Sequence, residues 1–350
     1  MVAINAINDT TVSEADSADR VAWDRFVDSN EAATIYHRWQ WRDVIGNCFG
    51  KHAYYLKAVQ RDEITGVLPL IRLKSMLFGD FLVSMPYLSY GGVVARDEQS
   101  REALLRACAE LGADLGVRHA ELRHTEDLSA WPKRTEKVGM HLPLCGDSEK
   151  RWKALGSKRR AQIKRPKREG VEPVIGGIEL IADFYSVLSR KYRDLGTPVY
   201  PEAWFRTIAA EFADQVRVFV VRLNGATVAA SLVIADNGRL EVPYAASLRE
   251  VDRFGVNMYL YWCMIEHAED QGYSVFDFGR STVDSGTFRF KKQWGAEVVP
   301  LYWHYWLSAG RDVPVLNTSN PKYERLISTW RRLPLWVTTL VGPRIVRNLP

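Results

Sequence analysis

Charged and hydroxyl side chains alternate with aromatic ones between residues 275 and 295, in the run VFDFGRSTVDSGTFRFKKQWG. A short apolar strand is expected to end near Asp277, and the turn-rich loop after it carries Arg280 and Ser281. Rigid aromatic walls with a few directed polar groups are typical of a binding or catalytic site. The alternative is an ordinary strand, a solvated loop and a second strand.

Individual residues of this region suggest acid–base and anion-binding chemistry. A carboxylate at a strand end, such as Asp277, can take a proton from an attacking nucleophile, although it can equally cap the backbone N–H groups of the loop. Arg280 with Ser281 suits a phosphate, because a guanidinium makes bidentate contacts with phosphate oxygens. Tyr244, on a preceding strand, is a candidate for lining an acceptor site, or it packs with its hydroxyl satisfied.

The motifs of the chain resemble those of one enzyme family. DFGRS at 277–281 and SGTFRFKKQWG at 285–295 are similar to the C-terminal half of the FemAB-type acyltransferases of the GNAT superfamily. Within that family the chain resembles the subgroup associated with exopolysaccharide loci and exosortase/PEP-CTERM systems, with a BioF2-like acetyltransferase domain. Further matching segments follow in the family's order: HRWQW (37–41), GVLPLIRLKSMLFG (66–79), LVSMPYLSYGG (82–92), LGTPVYP (195–201) and VNMYLYW (256–262).

The resemblance assigns a catalytic role to Phe290 and Lys291. A Phe-Lys pair at this place is implicated in catalysis in the family, with the lysine placed to stabilise negative charge. Acyl transfer passes through an oxyanion, and a fixed cation beside that oxygen lowers the barrier. Lys292 and Trp294, which follow, are candidates for substrate contact. The alternative for the two lysines is a pair of solvated surface side chains.

The segment from Arg253 to Asn257 departs from the donor-binding loop of related enzymes. Acyl-CoA-dependent GNAT enzymes carry (Q/R)xxGx(G/A) here, whose N–H groups hold a pyrophosphate at a helix N-terminus. This chain has one glycine, Gly255, between Arg253 and Asn257. We expect these three residues to contact the donor, and two donors stay open: acyl-CoA, and the aminoacyl-tRNA that FemAB relatives use. Neither is a tightly bound cofactor. A plain turn with Asn257 near a helix N-cap is the alternative.

The segment SKRRAQIKRPKREG (157–170) resembles the family's basic R-x-Q-I-R/K-K-A helix. The resemblance implies that a set of polar residues holds the diphosphate of a nucleotide-sugar or lipid-linked sugar, or a tRNA acceptor end: Arg160, Gln162, Lys164 and Arg165. Pro166 stands where the family has a small residue, and proline is expected to end or kink the helix there. The alternative is a solvated basic helix that joins two domains.

Composition limits the classes of protein to which the chain can belong. A chain of 350 residues that is 47% hydrophobic and 25% charged is globular and long enough for two domains. Its four cysteines have no CxxC spacing and its seven histidines no HExxH, so neither a disulfide framework nor a metal site is predicted. Residues 150–170 hold ten Lys/Arg against one acid, and residues 311–350 hold seven against two. Such concentrations favour an anionic partner, namely phosphate, nucleic acid or a membrane surface. DNA is not expected among these partners.

The predicted elements follow the same order twice, as a strand meander, a helix and a further strand. Helices near 98–115 and 256–271 each feed a strand, and at an offset of 156 Glu121 matches Asp277 by charge. Asn-Gly pairs at 224 and 237 are strong hairpin signals. We therefore predict an α/β (α+β) fold of tandem GNAT-like domains, each a mixed sheet flanked by helices. In each, the strand after the crossover helix should pair in parallel, with ligands expected at its end. A last strand is predicted near 297–307.

Three consecutive segments are predicted: an N-terminal GNAT-like domain (1–150), a C-terminal acyltransferase domain (151–310) and a basic amphipathic tail (311–350). Tryptophans and arginines of the tail suit an interfacial membrane contact, but we expect it to pack onto the first domain. The N-terminus lacks the features of a signal peptide, and LPLWVTTLVGP is too short to span a bilayer. A cytoplasmic protein is therefore expected, with a peripheral position on the cytoplasmic face of the membrane left open.

The sequence favours an acyltransferase that transfers an acyl or aminoacyl group to an amine or hydroxyl of a saccharide or cell-envelope precursor, in exopolysaccharide synthesis. The acceptor class and the pathway rest on the resemblance alone. Two alternatives remain: a non-catalytic GNAT-fold module that binds RNA or an anionic glycolipid, and a membrane-peripheral scaffold. Turnover separates the acyltransferase from the non-catalytic binding module, since a binder shows salt-dependent affinity without product.

Overall fold

The computed structural model describes residues 4–7, 10–76, 78–128, 130–314 and 321–350. Two compact units divide the chain. One is built from Met1–Val138, Pro300–Val315 and Arg347–Pro350, and the other from Gly139–Val299 and Leu316–Val346. The predicted domains were consecutive segments, whereas the observed units interleave along the chain.

The described residues form seventeen strands and eleven α-helices. The strands are β1 (Ile4–Ile7), β2 (Thr10–Glu14), β3 (Ala53–Gln60), β4 (Glu63–Ser75), β5 (Gly79–Val83), β6 (Val94–Ala95), β7 (His119–His124), β8 (Lys133–Arg134), β9 (Lys137–Pro143), β10 (Val171–Gly176), β11 (Val216–Leu223), β12 (Ala226–Asp236), β13 (Arg239–Ser247), β14 (Val275–Asp277), β15 (Ser281–Thr282), β16 (Glu297–Pro300) and β17 (Tyr302–Leu307). The helices are α1 (Arg20–Asp28), α2 (Gln40–Phe49), α3 (Glu98–Asp114), α4 (Ser148–Ala154), α5 (Ser157–Arg168), α6 (Ile181–Leu195), α7 (Glu202–Glu211), α8 (Val256–Asp270), α9 (Gly286–Lys292), α10 (Pro321–Arg332) and α11 (Leu335–Val346).

Each unit contains one mixed sheet. The first sheet runs in the order β1-β2-β3-β4-β5-β7-β17-β8, with β6 beside β4. The second runs β10-β11-β12-β13-β14-β9-β15, with β16 beside β9. In both, the strand after the long crossover helix pairs in parallel with a strand that precedes that helix: β7 with β5, and β14 with β13. This is the predicted arrangement, and it places Glu121 opposite Val83 and Asp277 opposite Glu241.

The chain leaves the first sheet, completes the second, and returns to the first with β17. After β7 the chain forms β8 of the first sheet and then β9, which pairs with β14 of the second sheet. It later passes from β14 towards β17, and β17 pairs with β7 of the first sheet. The single strand predicted near 297–307 is therefore two strands, β16 and β17, that belong to different sheets.

Both Asn-Gly pairs form the predicted hairpins, β11–β12 and β12–β13. Asn224 and Gly225 have φ of 51° and 78°, and Asn237 and Gly238 have φ of 44° and 73°. Two successive residues in the left-handed region match the twist of the flanking strands, and asparagine and glycine tolerate that region best.

A bulge in β13 decides which side chains face the same way. Leu232 of β12 lies opposite Tyr244 and Ile234 lies opposite Glu241, so β13 has one more residue than its partner between these pairs. Side chains alternate along a regular strand, but the extra residue resets the alternation. Glu241 and Tyr244, three residues apart, therefore lie on one face of the sheet.

Two local predictions differ from the structure. Helix α5 continues to Arg168 with Pro166 inside it, so the proline costs the helix the hydrogen bond to the Gln162 carbonyl but does not end it. The tail was expected on the first domain, but α10 and α11 pack against α6 of the second unit. No helix among the described residues is long and apolar enough to cross a membrane.

Candidate functional site

A row of polar side chains crosses three adjacent strands of the second sheet. Glu241 on β13, Asp277 on β14 and His141 on β9 lie opposite one another, so all three point to the same face. The bulge adds Tyr244 to that face. Asp277, Glu241 and Tyr244 are 0%, 4% and 5% exposed, respectively.

Aromatic side chains pack near this row of polar residues on both faces of the sheet. On its own face, Trp204 of α7 donates Nε1–H to the Tyr244 hydroxyl at 3.2 Å. On the opposite face, Phe278 stacks on Tyr261 of α8, with ring centroids 5.6 Å apart. Burial raises the pKa of Tyr244 well above its ordinary value, so its hydroxyl stays protonated.

Asp277 has polar neighbours at both carboxylate oxygens in spite of its complete burial. Its Oδ1 accepts the N–H of Gly279 at 2.8 Å. Its Oδ2 lies 3.2 Å from His141 Nε2 and 3.9 Å from a guanidinium nitrogen of Arg239. The capping role considered for this residue is observed, and its role as a proton acceptor stays a prediction.

Lys291 reaches the same group of residues from helix α9. The helix begins after Ser285, whose Oγ accepts the N–H of Phe288 at 3.1 Å. Lys291 is 7% exposed, and its Nζ donates to the carbonyls of Gly279 at 3.1 Å and Arg280 at 2.8 Å. Burial lowers the pKa of Lys291 to about 8, an effect that the charges of Asp277 and Glu241 oppose and that of Arg280 reinforces.

Arg280 and Ser281 follow Asp277 beside this lysine. The Arg280 charge lowers the pKa of both Tyr244 and Tyr192, against the stronger effect of their burial. Ser281 is 4% exposed, and its Oγ has no hydrogen-bond partner among the described residues. A buried hydroxyl without a partner is costly, which favours its use by a ligand.

The other predicted residues of α9 fall into two environments. Phe290 packs edge-on against Tyr261, with centroids 4.9 Å apart, and 6.4 Å from the ring of Trp294. Trp294 is 4% exposed, and its Nε1–H is buried without a partner among the described residues. Lys292 is exposed, in contrast to its neighbour Lys291.

The remaining predicted residues form a second group, at the contact of α5 with the start of α8. Gly255 has φ of 80°, and a Cβ placed there would lie 3.1 Å from the Gln162 carbonyl oxygen. Arg160 donates to the carbonyls of Lys153 and Leu155, which fixes the α4–α5 turn. The donor segment and the basic segment, predicted separately, are therefore neighbours. Lys164 lies over the Trp152 ring, with Nζ 5.6 Å from its centroid.

Arg253 and Asn257 flank the glycine at this contact. The Arg253 guanidinium lies 4.6 Å from the ring centroid of Phe254 and is exposed to solvent. Asn257 lies in the first turn of α8 and is half-buried.

A cavity of about 390 Å³ opens beside the second group, between α4, α5 and α8. Trp152 and Trp262 pack edge-to-face in the cavity wall, with ring centroids 4.9 Å apart. The lining residues are Ser148, Glu149, Trp152, Lys153, Ile163, Lys164, Lys167, Trp262 and Glu266. Lysines and aromatic rings together suit an anionic ligand with a flat or apolar part.

Three site residues had no signal in the sequence. His141 precedes Asp277 by more than a hundred residues and becomes its neighbour through the pairing of β9 with β14. Glu241 and Arg239 lie in a strand whose bulge no local pattern announced. A scan for strands that alternate in polarity would have found β9, but not its partner.

The corresponding place in the first unit is differently filled. Glu121 is 5% exposed and accepts from Arg123 Nε at 2.9 Å and from the Tyr305 hydroxyl at 2.9 Å. Arg123 also donates to the Leu88 carbonyl at 2.6 Å. This acid already accepts from an arginine and a tyrosine, whereas the charge of Asp277 acts on a buried lysine with a lowered pKa.

Comparisons with known proteins agree with this architecture. Residues 157–292 match the family model described as an acetyltransferase (GNAT) domain. No curated protein sequence matches the chain. The structure of FemX, a FemAB-type protein, superposes with a TM-score of 0.62 at 13% identity, covering 83% of this chain and 96% of that one.

Two further solved structures share the fold. The C-terminal domain of a putative lysylphosphatidylglycerol synthetase from Agrobacterium fabrum has a TM-score of 0.55 at 13% identity, covering 84% of this chain and 93% of that one. A tandem GNAT protein of the clavulanic acid pathway has a TM-score of 0.54 at 12% identity, covering 87% and 100%. The predicted tandem GNAT fold and the prediction of an acyltransferase enzyme are confirmed.

Proposed function

We propose that this enzyme transfers an acyl or aminoacyl group to an amine or hydroxyl of a saccharide or cell-envelope precursor. The observation that carries the proposal is Lys291, a buried lysine with a pKa of about 8 that lies at the end of β14 beside Asp277. An ammonium held in a site of low dielectric interacts strongly with charge that develops nearby.

Lys291 supplies the stabilisation of the oxyanion in this proposal. An ammonium has three N–H donors, and two of those of Lys291 go to the carbonyls of Gly279 and Arg280. The third N–H is directed to the carbonyl oxygen of the acyl group, which becomes negative when the acceptor attacks. Because the first two bonds fix the ammonium, little reorganisation is needed as the charge appears.

The proton of the acceptor goes to the pair formed by His141 and Asp277. The amine or hydroxyl forms the new bond to the acyl carbon, and its proton passes to this pair. The tetrahedral intermediate then collapses, and the bond to the carrier breaks. The proton returns to the leaving thiolate or alkoxide of the carrier. Attack within a ternary complex gains much of its rate from positioning.

The cationic groups of the second unit are assigned to the anionic parts of the substrates. Arg280 and the Ser281 hydroxyl lie beside Lys291 and suit a phosphate of the acceptor. The α5 surface, with Lys164 and Lys167 at the cavity, suits the phosphates of the donor's carrier or of a nucleotide-sugar or lipid-linked sugar. The carrier is either coenzyme A or tRNA. The motif resemblance supports a role in exopolysaccharide or envelope synthesis on the cytoplasmic face of the membrane.

Donor binding and transfer test the proposal in sequence. The thermal midpoint of the purified protein is measured with a panel of acyl-CoAs and with aminoacyl-tRNAs, because a ligand that binds the folded state raises the midpoint. Transfer from the donor that binds is then followed on amino-sugar acceptors. Lys291→Met should lower the rate at least ~100-fold, since a lost oxyanion contact costs about that much. Lys292→Met, an exposed neighbour, is the matched control.

The outcomes separate the alternatives. A shift with one acyl-CoA, or with charged tRNA, identifies the carrier. Salt-dependent binding of RNA without product would replace the proposal with that of a binding module. Equal rates for Lys291→Met and the parent protein, with both folded, would remove Lys291 from the mechanism.

A further inference from the structure

Helices α10 and α11 expose large apolar side chains that neither their own unit nor the proposed reaction uses. Leu326 is 65% exposed, Trp336 68% and Leu340 55%. Trp336 and Leu340 are one turn apart on α11, so their side chains lie on the same helix face. Leu195, at the end of α6, is also 46% exposed.

The opposite faces of these helices are fixed to the second unit. A Cβ at Gly342 of α11 would lie 3.0 Å from the backbone N and O of Val199. Ile327 of α10 packs on Gly196, where a Cβ would lie 2.5 Å away. Arg331 donates to the Leu195 carbonyl at 3.3 Å. The outward apolar residues are therefore held in place and do not belong to a poorly packed segment.

Basic side chains surround the exposed apolar ones. From residue 321 to residue 346 the chain has five Lys/Arg and a single acid, Glu324. Arg325 and Arg332 are exposed on α10, two turns apart, and Arg344 is exposed on α11. Positive charge around tryptophan and leucine complements a surface that is negatively charged outside and apolar beneath.

We propose that the outward surface of α10 and α11 docks this enzyme on anionic phospholipid. In this arrangement the two helices lie in the plane of the membrane interface, Trp336 and Leu340 enter the boundary of headgroups and acyl chains, and the arginines contact lipid phosphates. Tryptophan suits this depth because its ring is apolar and its indole N–H remains near water. Docking does not depend on the acyl-transfer chemistry proposed above.

Co-sedimentation of the full chain with lipid vesicles tests this proposal. Vesicles of phosphatidylcholine alone are compared with vesicles that contain about 30% phosphatidylglycerol. We expect binding to the anionic vesicles that weakens as salt is added. Trp336→Ala with Leu340→Ala should weaken binding at least ~10-fold, because two large apolar groups no longer leave water. Both residues are exposed, so folding should be unchanged, as the thermal midpoint will show.

Two charge variants locate the contact. Arg325→Gln with Arg332→Gln should weaken binding by about fivefold per charge. The control, Arg165→Gln with Arg168→Gln, removes two exposed charges from α5 and should have little effect. The proposal is wrong if the parent protein does not sediment with anionic vesicles. It is also wrong if the α5 variant loses binding while the α11 variant keeps it, since the basic helix would then be the anchor. Self-association through Trp336 without lipid binding would likewise overturn it.

Discussion

Lys291 carries a buried positive charge that its surroundings only partly compensate. Two carbonyl oxygens accept its N–H groups, and the carboxylates of Asp277 and Glu241 favour its charged form. Burial outweighs these effects and lowers the pKa to about 8 from 10.5. An arginine could not be tuned in this way, because its guanidinium stays charged at any accessible pH. The choice of lysine therefore makes the charge of the site sensitive to pH near neutrality.

The pH dependence of transfer should show whether Lys291 acts as a cation. With a pKa of about 8, it is charged below that pH and neutral above it. If the ammonium stabilises the oxyanion, kcat/KM should fall as pH rises through about 8. Lys291→Arg should retain a measurable rate and lose this descending limb. A rate that instead rises through the same range would identify the neutral amine as a base and contradict the oxyanion role.

Asp277→Asn should move the same descending limb to lower pH. The Asp277 charge raises the pKa of Lys291, so its removal lets burial depress that pKa further. The asparagine carbonyl can still accept the Gly279 N–H, which keeps the loop in place. We expect a cost of about 3 kcal/mol in unfolding free energy, because a buried cation loses a compensating negative charge. The pH–rate profile checks the direction, and an unchanged limb would show that Asp277 does not act on Lys291.

At the scale of elements, α5 and α8 meet through a proline and a glycine. Pro166 has no N–H for the Gln162 carbonyl, four residues before it, which would otherwise accept a helical hydrogen bond. That carbonyl instead faces Gly255, where the absence of a side chain permits close approach. Pro166, which was expected to end or kink the basic helix, therefore frees the carbonyl through which this helix contacts the segment from Arg253 to Asn257.

Gly255→Ala should destabilise the second unit more than Gly272→Ala does. Both glycines have left-handed φ, 80° and 75°, so both substitutions incur a strain of ~1–2 kcal/mol. Only at Gly255 would the added Cβ meet a backbone oxygen, at 3.1 Å, whereas nothing lies within 4 Å at Gly272. Urea unfolding gives the loss of unfolding free energy for each variant, and the difference between the two losses is the cost of this contact. Equal losses would show that α5 moves aside without cost.

A relay of buried histidines makes one part of the first unit sensitive to acid. The Val93 N–H donates to His124 Nε2 at 2.9 Å, so the proton of neutral His124 is on Nδ1 and donates to His304 Nδ1 at 3.0 Å. His304 then donates from Nε2 to Asp127 Oδ1 at 3.1 Å. Protonation of either ring breaks one of these bonds. Burial accordingly lowers the pKa of His124 to about 3, and it lowers that of His304 as well.

His124→Gln should make the protein less sensitive to acid. The unfolded chain binds protons below pH 6.5 while native His124 does not, so its stabilising effect is complete above that pH and is lost as pH falls. Between pH 7 and 5 the loss from this one residue is about 2 kcal/mol. Glutamine can accept the Val93 N–H and donate to His304, yet it does not titrate. The unfolding free energies of both proteins at the two pH values measure the difference, and parallel losses would contradict the assignment.

The sequence predicted most individual elements and few of their partners. Helices α3 and α8 and the two Asn-Gly hairpins were predicted because periodicity and turn chemistry are local properties. Helix α9 was not, since its seven residues alternate aromatic and cationic side chains, and the Ser285 cap rather than propensity begins it. The neighbours of Asp277 were out of reach, because pairing of β9 with β14 is set by the whole sheet. The lowered pKa of Lys291 was also out of reach, because it follows from the burial of this side chain in the folded unit.

At the scale of the whole molecule, the first unit lacks a strand when its N-terminal sequence, up to Val138, is taken alone. The first sheet takes β17 from residues 302–307, and β17 contributes His304 to the relay and Tyr305 to Glu121. His304 is 0% exposed and Tyr305 2%. Without β17, the edge of β7 would lose its hydrogen-bonding partner, and Glu121 and His124 would each lose a buried contact.

A fragment of residues 1–138 should therefore not fold cooperatively by itself. Loss of β17 leaves an unpaired edge strand and buried polar groups without partners, each of which costs ~1–3 kcal/mol. A chain of residues 1–138 joined by a flexible linker to residues 300–315 restores the strand and should show a cooperative thermal transition. Circular dichroism on heating compares the two. If the shorter fragment unfolds as cooperatively as the longer one, the first unit does not depend on β17, and the interleaving is a feature of connectivity without a role in stability.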